Sequence, residues 1–236
     1  MEYSNMKRFK WLASLPFLFA AISCLNEEQM TLDRDNGDET KSEILLSAEI
    51  HQQYVTRAND NGFADGDQIG VFIVDHKDGH SQDLSLTGNQ ADNVRFTYDD
   101  NDGKWTGAYQ LYWKDKNTPV DAYSYYPFDG ELSSVTAYPF SVQRSQGETV
   151  SQTDITGYEA SDFLWAKSEN QFPLSGMISL RHQHVMAGIQ VTLVEGYGFG
   201  DGEWEGLSKQ VMIENTRLGA KISLQTGVVS VDAGTA

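Results

Sequence analysis

The sequence predicts an all-β chain. Three observations lead there: short segments whose apolar residues alternate, glycine- and aspartate-rich breaks between them, and no sustained apolar pattern of helical period after residue 23. Aromatic residues make up 11 % of the chain, and 21 glycines stand against 5 prolines. Aromatics suit a pleated, half-buried surface and glycines suit its turns, so the balance favours a sheet protein over a disordered one.

The elements follow in order. Ile44, Leu46, Ala48 and Ile50 alternate, as a half-buried strand does. Ile69-Gly70-Val71-Phe72-Ile73-Val74 is a continuous apolar run, the mark of a central strand buried on both faces. It is bounded by turn-forming Asp65-Gly66-Asp67 and by Asp75 to Gly79. Val94, Phe96 and Tyr98 alternate before Asp99-Asp100-Asn101-Asp102-Gly103, which predicts a hairpin into Lys104-Trp105. Tyr109 to Trp113 and Val120 to Tyr126 read as strands, the second closed by Pro127. Asp162 to Ala166 and Met177 to His182 read as strands, and Ala187, Ile189, Val191 and Leu193 alternate as another. Many short strands at regular spacing suggest a sandwich.

The expected organisation is a signal segment at 1–23, a flexible polar tether at 24–42 and a β-sandwich domain at 43–195. A glycine-rich linker at 196–206 then leads to a partial second β-domain at 207–236. In that last part, strands are expected around Leu207 to Ile213, Leu218 to Leu224 and Val228 to Val231.

The N-terminus carries an address. Lys7, Arg8 and Lys10 form a positive region, and Trp11 to Ile22 is an apolar run too short to span a bilayer. Ala21-Ile22-Ser23-Cys24 resembles the bacterial lipobox, in which the cysteine thiol takes lipid and the chain is cut before it. Cys24 is the one cysteine, so it is the expected lipid attachment site, and no disulfide can form within the chain. Several acyl chains such as palmitate anchor firmly because each buried methylene adds about 0.8 kcal/mol. Acidic Glu27-Glu28 just behind Cys24 resembles an export signal to the cell surface, so the expected location is the outer face of the outer membrane.

The formal net charge is −17, and −19 from Cys24 onward, because Lys7, Arg8 and Lys10 outweigh Glu2 before it. Such a surface argues against a nucleic-acid partner, which needs clustered Lys and Arg. Few motifs carry chemistry. His182 and His184 would share a face of a strand, but zinc needs three or four ligands. The run Asp99 to Gly103 fails as a calcium loop, since Tyr98 and Tyr109 fall where acidic ligands belong. Gly196, Gly198 and Gly200 fail the dinucleotide pattern, with Asp201 in place of the third glycine. The expectation is therefore no enzyme, no catalytic residue, no cofactor and no metal. Trp105, Tyr112 and Trp113 lie in a dense aromatic region that either packs a core or forms a sugar-stacking platform. The platform supports an alternative reading as a surface glycan-binding lipoprotein. A secreted hydrolase is the least supported reading.

Three stretches resemble the fimbrillin family of Bacteroidales, the subunits of type V pili. They are Thr56-Arg57-Ala58 followed by Phe63 and Gly66 to Phe72, then Asp121 to Phe128, then Leu180 to Val191. The resemblance implies a β-sandwich of transthyretin- or immunoglobulin-like architecture in a structural or adhesion subunit of a fimbrium. It further implies an arginine-specific protease as partner, cutting between Arg57 and Ala58, with Arg34 as a rival site. Removal of the first strand would leave a groove that a strand of another pilus subunit fills. Only about 35 residues follow the glycine break, so the second domain is expected to be incomplete.

Overall fold

A computed structural model describes residues 41–51, 62–150 and 155–231. Among them the chain is almost entirely β, as the alternation predicts. The strands are β1 (Leu45–Ile50), β2 (Gln68–Lys77), β3 (His80–Ser81), β4 (Ala91–Asp99), β5 (Lys104–Gly107) and β6 (Val120–Tyr126). They continue with β7 (Tyr138–Ser141), β8 (Leu164–Gln171), β9 (Met177–His184), β10 (Gly219–Ile222) and β11 (Val229–Ser230). The large sheet runs β1-β9-β8-β6-β2-β4-β5, with β3 beside β2, and a three-stranded sheet runs β11-β10-β7.

Strands β2 and β6 explain their own sequence. Both are buried on two faces, so neither needs to alternate. Ile69, Val71, Ile73 and Ala122 enter one core with Leu46, Val94, Phe96, Ile178 and Leu180. Phe72, Val74, Tyr123 and Tyr125 enter a second core with Phe163, Ile222 and Leu224. The small sheet covers that second face, with Tyr138, Phe140 and Val229 packed against it. Strand β9 instead alternates, burying Ile178, Leu180 and His182 while its intervening residues stay exposed. The Asp99 to Gly103 turn joins β4 to β5 as expected, with Gly103 at φ 68° donating to the Asp99 carbonyl at 3.0 Å.

Three expectations are corrected. Ala187, Ile189, Val191 and Leu193 form no strand, and Ile189 is 65 % exposed. Alternation marks a segment suited to a sheet, but a strand exists only with a paired edge, and none pairs there among the described residues. Leu207 to Ile213 likewise forms no strand. Tyr109 to Trp113 makes only an isolated bridge at Tyr112.

The C-terminal strands also differ from the expected separate domain. Strand β10 pairs antiparallel with β7 from Gly219↔Ser141 to Ile222↔Tyr138. The Leu224 amide donates to the Val135 carbonyl at 2.7 Å, and the Trp165 indole donates to the Leu224 carbonyl at 2.6 Å. Residues 219–230 therefore complete the second core of the body that the earlier strands build.

Candidate functional site

Strand β1 occupies an unusual place. Along one edge it pairs parallel to β9, in register from Leu45↔Met177 to Ile50↔His182. Its approach to that strand lies antiparallel to residues 111–113 on the other side. The Ile44 amide donates to the Leu111 carbonyl at 2.8 Å, and the Trp113 amide donates to the Ser42 carbonyl at 2.9 Å. Further along, the Trp105 indole donates to the Ala48 carbonyl at 3.3 Å. A strand from the start of the chain thus fills a slot between β9 and the segment after β5.

Alternation decides what fills the slot. Ile44 and Leu46 are buried in the first core, with Ala48 partly buried behind them. Leu45 and Glu49 face outward. Burying each large side chain contributes about 1.5–3 kcal/mol. On the outer face Arg181 of β9 donates to Glu49 at 2.5 Å, both well exposed. Phe63, Tyr98, Trp105 and Tyr126 cluster in the same core, Phe63 meeting the Trp105 ring edge-on at 4.8 Å.

His182 lies in this core, fully buried. Its Nε2 pairs with Ser124 Oγ at 2.9 Å, and Phe63 meets its ring edge-on at 5.4 Å. Burial pushes the imidazole down to about 3. The unfolded chain binds this proton more readily, with an ordinary value near 6.5. Stability from this residue is therefore complete above about pH 6.5 and falls by about 1.4 kcal/mol per pH unit down toward pH 3. Denaturant melts of wild type and His182→Gln should differ less as pH falls through that window. A constant difference would show that His182 does not titrate on unfolding.

The expected site residues separate. Trp105 is 8 % exposed and Trp113 3 %, while Tyr112 is 43 % exposed. The sugar platform is therefore corrected: stacking needs open ring faces, and these two indoles serve the core instead. Cys24, Arg57, Ala58 and Arg34 lie outside the described residues. His184 Nδ1 pairs with Asp162 at 2.8 Å, apart from the Ser124 partner of His182. His76 pairs with Asp121 at 2.9 Å. Three exposed carboxylates, Asp65, Asp99 and Asp100, lie close together, and Asp99 already accepts from Asn101. No described helix is long and apolar enough to cross a membrane. The sequence did not point to Arg181, Leu111 and Trp113 as walls of the β1 slot. The matched alternation of residues 44–50 and 178–182 was the signal that could have paired the two strands.

The fold is an all-β body in which the first described strand lies in a slot of its own sheet. The chain belongs to the fimbrillin-like family, whose model matches residues 56–236. A protein of Bacteroides ovatus assigned as a fimbrium tip subunit, Fim1C, is 29 % identical over 250 aligned positions, covering 94 % of this chain and 43 % of that protein. The chain thus spans less than half the length of that relative. A crystal structure of a protein from Bacteroides ovatus assigned to cell adhesion superposes with a TM-score of 0.51 at 12 % identity, covering 83 % of this chain and 69 % of that one. This supports the fold alone. A similarly assigned protein from Bacteroides uniformis gives 0.49 at 18 % identity, covering 82 % and 67 %.

Proposed function

We propose that the chain is a structural or adhesion subunit of a surface fimbria, without enzymatic activity. It is exported as a lipoprotein through Cys24, anchored at the outer membrane, and cut after Arg57 by an arginine-specific protease. The cut frees β1, and a strand from another pilus subunit takes its slot.

The observation that carries this reading is the position of β1. It ends the hydrogen-bonded order of the large sheet, and it lies before Arg57 in the chain. Among the described residues, only its leading end is held by backbone hydrogen bonds on the other side, by residues 111–113, and its outward side chains Leu45 and Glu49 reach solvent. What it vacates is an open β9 edge and an apolar cleft, the two things strand addition uses.

Arg57→Ala should keep the full-length lipidated form and remove the product beginning at Ala58. Mass spectrometry after exposure to an arginine-specific protease reads both. Unchanged processing in the variant would remove Arg57 from the mechanism. Trimming at Arg34 in its place would leave β1 attached and its slot closed.

A further inference from the structure

We propose that the slot of β1 selects its incoming strand by sequence: large and apolar at two alternate positions, small at the next inward one, and acidic at the exposed position after that, running parallel to β9. This rests on the exchange reading above and names the partner that reading requires.

Each requirement comes from a different wall. The two large positions are those of Ile44 and Leu46, which are 3 % and 7 % exposed. They share a buried cluster with Leu111, Trp113, Ile178 and Leu180, so a polar group there would lose water without gaining a partner. The small position is that of Ala48. There the Trp105 indole crosses toward the strand to reach its carbonyl, and the Tyr98 ring lies 5.1 Å from Trp105. With Phe63 against the same indole, aromatic rings already fill the core at this end. The acidic position is that of Glu49, held by Arg181 on the adjacent strand.

Direction is fixed independently of side chains. The parallel ladder to β9 continues past β1, where the His51 amide donates to the His182 carbonyl at 2.7 Å. The antiparallel contacts to Leu111 and Trp113 hold only the leading end. A strand entering in reverse would lose both patterns. Trp105 is thus a positioning residue that reads the backbone, while Arg181 reads charge.

The test uses the full chain carrying a site-specific protease sequence within residues 52–61, so it does not depend on Arg57. The nicked protein is unfolded and refolded with an equal amount of a decapeptide copying residues 42–51, and native mass spectrometry gives the ratio of peptide to native segment bound. The copied peptide should compete evenly, and Leu45→Thr, an outward change, should stay within about twofold. Glu49→Lys should fall about three- to tenfold. Leu46→Asp and Ala48→Phe should fall about a hundredfold or more. A body carrying Arg181→Glu should reverse the preference at position 49, which a merely structural role for Arg181 would not produce. Uptake of all peptides alike, uptake of none, or no reversal with Arg181→Glu would overturn the proposal. An uncut Arg57 in the native chain would instead defeat the exchange reading and leave this selectivity standing.

Discussion

Gly70→Ala is expected to destabilise the chain by about 2–4 kcal/mol, a large effect for one added methyl. Gly70 lies on β2 directly opposite Tyr125 on β6. A Cβ there would come within 2.3 Å of the Tyr125 ring and 2.6 Å of Asn93 Oδ1. The ring cannot simply yield. Tyr125 donates to Asn93 Oδ1 at 2.8 Å, and its oxygen accepts from the Asp129 amide at 3.2 Å. Its ring stacks 5.9 Å from that of Phe163. Displacing it breaks a buried polar network and opens the second core together. Gly147→Ala, at an exposed site with nothing within 4 Å of the added carbon, should change little. Urea midpoints compare the two; equal values would mean that β2 and β6 shift freely to admit the methyl.

Asp121→Ala is expected to cost about 3–5 kcal/mol. Asp121 is completely buried on β6, where the ladder to β8 slips between Val120 and Ala122. Its carboxylate accepts from the Asn170 amide at 2.6 Å, and Asn170 itself turns through φ 54°. His76 Nδ1 lies 2.9 Å and 3.0 Å from the two carboxylate oxygens. The side chain thus supplies the acceptor that the irregular ladder denies to Asn170. Alanine would strand that amide and the imidazole beside it. Asp121→Asn keeps one oxygen as acceptor and should lose less than half as much. If the two variants prove equal in denaturant midpoint, the Asn170 contact contributes nothing measurable.

Much of the large sheet was legible in particular residues. Six apolar residues in a row at 69–74 announced a strand buried on both faces, and β2 is one. Residues 44–50 alternated and 177–182 read as a strand, and β1 and β9 each bury one face. Strand β7 was not legible. Its Pro139 argues against a strand, since proline has no amide to give a ladder. It is tolerated because β7 is the outer strand of the small sheet, paired among the described residues only with β10. The candidate site was half legible: the strand that fills the slot was found, the slot was not. Trp105 and Trp113 read equally well as platform or core, because composition does not say which face of a strand meets solvent.

By itself the sequence determined the β character of the chain, the order of most strands, the lipobox at Cys24 as an expectation, and the family resemblance. These rest on local pattern and short motifs, which need no knowledge of distant neighbours. Only the tertiary structure decided that β1 lies parallel to β9, that β10 and β11 close the second core, and that Arg181 faces Glu49. Those pairings join residues more than a hundred positions apart in β1 and β9, and about eighty apart in β7 and β10. Alternation makes a strand eligible for an edge, but which edge it meets is settled by the packing of the whole sheet.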